Sequence, residues 1–98
     1  MQEISAKEVQ QRLEAGEQLN LIDVREVHEV EAGHIPNILH IPLALLGFRQ
    51  NELDKNKQYI MVCRSGGRSA QAAQYLQSHG FNVMNMAGGM LAWEGKIE

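Results

Sequence analysis

The residues best suited to chemistry form one seven-residue run that follows a short apolar segment. It holds a thiol, two guanidinium groups, two glycines and two hydroxyls, contributed by Cys63, Arg64, Ser65, Gly66, Gly67, Arg68 and Ser69. Adjacent glycines let a backbone curl with its N–H groups turned inward, which makes a nest for anions. A thiol in such a ring is driven toward the thiolate, and arginines add permanent positive charge. The run therefore predicts nucleophilic sulfur chemistry on an anionic substrate.

The flanking segments place this run where parallel sheets bind ligands. The apolar segment Gln58–Val62 predicts a buried strand that ends just before Cys63, and Ser69–His79 predicts a helix. Ligands bind at the carboxyl ends of parallel strands, and the start of a helix attracts anions. A buried structural cysteine beside solvated arginines is the alternative interpretation. The convergence of strand end, glycine turn, two arginines and helix start favours a nucleophile.

The rest of the chain alternates predicted strands and helices. A capping-box pattern at Ser5 and Glu8 predicts a helix over residues 5–15. Further strands are predicted at Leu19–Val24, Ile38–Ile41 and Asn82–Met86, and a further helix at Ala44–Leu53. This alternation predicts an α/β fold with an open, mostly parallel sheet. A chain of 98 residues is the size of one domain, so a single domain over residues 1–98 is expected.

Charge is unevenly distributed along the chain. Residues 1–54 contain ten acidic and four basic side chains, whereas residues 55–93 contain four basic side chains and no acidic one. The cysteine thus belongs to the basic half, which favours an anionic ligand. The net charge of −3 argues against a nucleic-acid partner.

The single cysteine and the polar start of the chain bear on its location. One cysteine cannot form an internal disulfide, and small secreted domains normally carry several. The first fifteen residues contain no apolar block of the kind found in signal peptides. The longest apolar stretch, Ile38–Phe48, is interrupted and shorter than the roughly 20 residues that a membrane span needs. We therefore expect a cytoplasmic protein with no membrane partner.

Three motifs in order along the chain resemble those of the single-domain rhodaneses, which are thiosulfate sulfurtransferases. The first is Asp23–Glu26, followed by Glu29 and Gly33–Pro36. The second is the loop Cys63–Ser69, which fits the family pattern of Cys, two variable residues, Gly, one variable residue, Arg and Ser. The third is Gly88–Trp93. The resemblance covers nearly the whole chain.

This resemblance implies a rhodanese-like fold, a five-stranded mostly parallel sheet with helices on both faces. It also implies that the Cys63 thiolate attacks the outer sulfur of thiosulfate, or of a related persulfide donor, and keeps that sulfur as a persulfide. Cyanide or a thiol, including a protein thiol, would then accept the sulfur. By the same resemblance, residues 64–69 hold the anion, and no cofactor is required.

Other candidate residues have weaker claims to a catalytic role. Asp23 ends an apolar strand, so it is expected to bind neighbouring loop amides, with Arg25 beside it in a supporting role. Trp93 either walls the pocket or packs in the core. The histidines at 28, 34 and 40 share no helical face, and no metal site is predicted from them.

Two other classes of function compete with sulfur transfer. Cysteine-dependent phosphatases need an arginine six positions after the cysteine, but that position is Ser69, and Arg68 comes one residue early. The shorter loop favours sulfur transfer. A non-catalytic binding or redox-sensing module could keep the fold without the nucleophile, but here the cysteine and both arginines are present.

Overall fold

Five strands form one sheet in which every neighbouring pair is parallel. The computed structural model describes residues 1–98, and its strand order is β1-β5-β4-β2-β3. The strands are β1 (Gln2–Ser5), β2 (Asn20–Asp23), β3 (Leu39–His40), β4 (Gln58–Val62) and β5 (Asn82–Ala87). The predicted α/β class is confirmed, and the sheet is wholly rather than mostly parallel.

Four α-helices and three short 3-10 turns connect the strands. The helices are α1 (Ala6–Glu14), α2 (Val27–Ala32), α3 (Leu46–Arg49) and α4 (Gly67–Ser78). The 3-10 turns are Leu43–Leu45, Gln50–Glu52 and the final turn, Gly89–Ala92. The predicted helix over Ala44–Leu53 is wrong, because this segment is divided among α3 and its two flanking turns. No helix could span a membrane.

The core lies in two layers because side chains alternate across the sheet. In β4, Tyr59 and Met61 contact one cluster while Ile60 and Val62 contact the other. The first cluster includes residues of α3 and α4, and the second includes residues of α1. Helices therefore cover both faces, as expected. Cys63 continues the alternation of β4 and belongs to the cluster beneath α4.

Candidate functional site

Cys63 lies immediately after β4, at the carboxyl edge of the sheet, and is buried. The backbone N–H of Gly66 donates to the Cys63 sulfur at 3.1 Å, and the Ser69 hydroxyl donates to it at 3.2 Å. Gly66 has a φ of +108°, a conformation that side chains disfavour, and it turns the chain into α4. The loop therefore surrounds the sulfur with donors from the start of the helix.

These donors control the ionisation of the thiol. Burial raises the pKa of the Cys63 thiol, whereas hydrogen bonds from the Ser69 hydroxyl and from the N–H groups of Ser69, Gly66 and Ser65 lower it. The donors outweigh burial, so the pKa lies below its ordinary value. This direction was expected from the sequence, with the two loop arginines and the amides at the start of the helix as its causes. In the structure the groups that lower the pKa are one hydroxyl and three loop amides.

We expect the thiol of Cys63 to titrate below the ordinary cysteine value of about 8.5. The rate of alkylation by a neutral reagent, measured against pH, gives the midpoint. Ser69→Ala removes the hydroxyl donor and should raise that midpoint by about one unit. A wild-type midpoint at or above about 8.5 would mean that burial outweighs the donors.

The two loop arginines have different surroundings. The Arg64 side chain is exposed and takes part in no ion pair or side-chain hydrogen bond. Arg68 instead donates from both terminal nitrogens to the Glu29 carboxylate, at 2.7 and 2.8 Å. The sequence places no acid within residues 55–93, but Glu29 reaches the loop from α2. One of the two positive charges is thus already paired.

Glu29 is held in its ionised form by this contact. The hydrogen bond from Arg68 lowers the pKa of the Glu29 carboxyl, burial opposes it, and the net value is about 2. The N–H of Glu26, at the start of α2, also donates to this carboxylate at 2.9 Å. Glu29 therefore connects α2 to the loop, a role that the upstream motif did not reveal.

Glu29→Gln should lower the free energy of unfolding at pH 7 by about 1 kcal/mol, a figure reduced because Arg68 is partly exposed. The folded pKa is depressed, so the stabilisation is fully present above about pH 4.3 and disappears as the pH falls toward 2. Urea unfolding from pH 7 to pH 3 measures this difference. Glu31→Gln, an exposed change in the same helix, is the matched control. Equal losses in both variants at every pH would contradict the ion-pair explanation.

The final 3-10 turn is hydrogen-bonded to the backbone of the loop and holds it in place. Met90 donates its N–H to the Cys63 carbonyl at 2.8 Å, and Leu91 donates to the Arg64 carbonyl at 2.9 Å. Gly88 and Gly89 have positive φ values of +80° and +57°. A Cβ on Gly89 would lie 2.4 Å from the Cys63 carbonyl oxygen. The third sequence motif thus supports the loop through close backbone contact.

Asp23 and Arg25 form a buried ion pair at the end of β2. The Arg25 backbone N–H donates to Asp23 Oδ1 at 3.0 Å, and its guanidinium donates to both carboxylate oxygens. The same guanidinium binds the Gly33 carbonyl at 2.8 Å, just beyond α2. These bonds fix the segment that carries Glu29. None of them reaches Cys63, so the pair lies outside the ring of donors around the sulfur.

Trp93 packs in the cluster on the other face of the sheet from Cys63. Its indole N–H donates to the Lys96 carbonyl at 3.0 Å. The ring also lines a cavity of about 400 Å³ beside α1. The structure therefore places Trp93 in the core and not beside the thiol.

The three histidines share no common contact. His34 contacts the Val30 carbonyl and His40 contacts the Arg25 carbonyl, while His28 is exposed. No group of three or more His, Cys, Asp or Glu side chains is placed to hold a metal ion.

Sequence reasoning missed Asn85, a buried polar residue in β5. Its side-chain amide donates to the Gly66 carbonyl at 3.2 Å and to Glu3 at 3.2 Å. The only signal in the sequence was an asparagine inside a predicted strand, where this residue type is uncommon.

Comparison with known proteins agrees with this geometry. A family model described as "Rhodanese-like domain" matches residues 5–96. A protein of Bacillus subtilis (strain 168) named "Putative sulfurtransferase YtwF" is 45% identical over 98 residues, covering 100% of this chain and 95% of that protein. A protein of Allochromatium vinosum named "Sulfurtransferase" is 39% identical, covering 93% of this chain and 86% of that protein. The crystal structure of a rhodanese-like domain protein from Staphylococcus aureus superposes with a TM-score of 0.94 at 34% identity, covering 100% and 97% of the two chains.

Proposed function

The chain belongs to the rhodanese-like domain family, and on that basis we propose that it is a sulfurtransferase in which Cys63 carries the sulfur as a persulfide. The observation that carries this proposal is the Cys63 sulfur, buried at a strand end with the Gly66 N–H and the Ser69 hydroxyl directed at it. Donors in these positions stabilise the thiolate that attacks the sulfur donor and that is released again when the sulfur is passed on.

In the first half-reaction, the Cys63 thiolate attacks the outer sulfur of thiosulfate. The new S–S bond forms as the sulfur–sulfur bond of thiosulfate breaks, and its electron pair leaves with sulfite. A related persulfide donor would react in the same way, with a thiolate as the leaving group. The unpaired charge of Arg64 and the loop amides hold the anionic donor, while the charge of Arg68 is balanced by Glu29.

In the second half-reaction, cyanide or a thiol, including a protein thiol, attacks the outer sulfur of the persulfide. The S–S bond breaks, and its electron pair returns to Cys63 as the thiolate. No electrons are gained or lost overall, so no cofactor is needed. A lone thiol that must stay reduced suits a reducing compartment such as the cytoplasm.

The proposal is tested by steady-state formation of thiocyanate from thiosulfate and cyanide. The expected result is turnover with ping-pong kinetics, because the enzyme alternates between thiolate and persulfide. Absence of thiocyanate, and of product when an organic persulfide replaces thiosulfate, would refute the proposal and favour a binding module.

A phosphatase assay on the same purified protein distinguishes sulfur transfer from phosphate hydrolysis. Hydrolysis of an aryl phosphate should be undetectable, because the arginine of the loop comes one residue too early for a phosphatase ring. Hydrolysis that disappears in Cys63→Ser would instead establish the cysteine-dependent phosphatase.

A further inference from the structure

Asn85 is a buried amide placed directly beneath the loop. It lies in β5, opposite Glu3 of β1, and is 2% exposed. Its Nδ2 atom lies 3.2 Å from both the Gly66 carbonyl oxygen and Glu3 Oε2. Both neighbours are acceptors, so the amide must turn its two N–H groups toward them. Its own oxygen, Oδ1, is left buried without a partner.

Such an arrangement is unfavourable for the strand itself. A buried oxygen without a hydrogen bond destabilises the fold, and an apolar side chain would avoid the loss. The amide therefore serves the group that it contacts, and the buried one is the Gly66 carbonyl.

The Gly66 carbonyl competes with the Cys63 sulfur for one proton. The Ser69 hydroxyl lies 3.2 Å from the Gly66 oxygen and 3.2 Å from the sulfur, but it has a single hydrogen to donate. The Ala70 N–H also donates to the Gly66 oxygen, at 3.1 Å. With donors from both Ala70 and Asn85, the two lone pairs of that oxygen are occupied. The hydroxyl proton is then free to point at the sulfur.

We infer that Asn85 is a positioning residue that directs the Ser69 hydroxyl proton onto the Cys63 sulfur by occupying the Gly66 carbonyl. It touches neither the sulfur nor the donor, and acts only through Gly66 and Ser69. This inference rests on the proposed role of Cys63 as the sulfur carrier. The test measures the titration of the Cys63 thiol. The inference about Asn85 can therefore be refuted while the proposal of sulfur transfer remains supported.

Charged groups near the loop do not account for an effect of Asn85 on the ionisation of the Cys63 thiol. Arg68 is paired with Glu29, and Arg64 is exposed at the surface. The Glu3 carboxylate is on the far side of the Asn85 amide and is exposed, so it can turn to solvent when the amide is removed.

A double-mutant cycle on the thiol midpoint tests the inference. Asn85→Leu removes the donor while keeping a similar volume, which leaves no room for a substitute water. Alkylation by a neutral reagent is followed against pH in wild type, Asn85→Leu, Ser69→Ala and the double variant. Asn82→Leu, an exposed change at the start of the same strand, is the matched control. Where Asn85→Leu does not fold, Asn85→Val is used in its place.

The expected result is that Asn85→Leu raises the midpoint by about one unit in the wild-type background and adds nothing once Ser69 is alanine. The control should leave the midpoint unchanged. An equal shift in both backgrounds would show that Asn85 acts on the loop in general, and no shift at all would show that the hydroxyl points at the sulfur whether or not Asn85 is present. Either outcome overturns the inference.

Discussion

Replacing Cys63 with serine should abolish sulfur transfer while leaving the fold intact. A serine hydroxyl is neutral at pH 7 and cannot form a persulfide, so the intermediate that connects the two proposed half-reactions would be lost. The expected loss of thiocyanate formation is on the order of 10⁴-fold or more. Steady-state assays at equal protein concentration measure it.

The free energy of unfolding of the Cys63→Ser variant provides the control for this substitution. Sulfur and oxygen differ modestly in size, and the Gly66 and Ser69 donors can bind an oxygen as well. The free energy of unfolding should therefore change by no more than about 1 kcal/mol. Substantial turnover by a folded Cys63→Ser variant would show that sulfur moves without this cysteine.

Gly89→Ala should damage both the fold and the site. The added Cβ would lie 2.4 Å from the Cys63 carbonyl oxygen and 2.6 Å from the Arg64 carbonyl carbon, both of them backbone atoms that cannot give way cheaply. The positive φ of +57° adds strain of its own. We expect a loss of about 3 kcal/mol or more in the free energy of unfolding, measured in urea.

Gly16→Ala separates the two contributions to that loss. Gly16 also has a positive φ, +88°, but no atom lies within 4 Å of the position that its Cβ would take. It should therefore lose only about 1 kcal/mol, the cost of the backbone conformation alone, and keep full sulfur transfer. Equal losses of stability and of sulfur transfer in the two variants would contradict the proposal that close contact of Gly89 with the loop backbone supports the site.

The centre of the site could be predicted because its parts are adjacent in sequence. The thiol, the glycine turn and the start of α4 are contiguous between Cys63 and Ser69, so their types and order indicate the chemistry. The contact between Glu29 and Arg68 spans 39 residues, and that between Asn85 and Gly66 spans 19. No local pattern shows such pairs, because packing of the sheet and helices brings them together.

Two elements of the fold, β1 and α2, were likewise not predicted from the sequence. The strand β1 was not predicted, because three of its four residues are exposed at the edge of the sheet and carry no apolar run. The helix α2 was also missed, since it has only six residues and none of them is buried. The central strands β2 and β4 are largely buried and were found from their apolar runs.

The intact mass of the protein after exposure to thiosulfate tests the central claim most directly. Wild-type protein should gain the mass of one sulfur atom, and cyanide should remove it. The Cys63→Ser variant should gain nothing under the same conditions. An unchanged wild-type mass with thiosulfate and with an organic persulfide, or a gain that persists without Cys63, would contradict the account of Cys63 as the carrier of transferred sulfur.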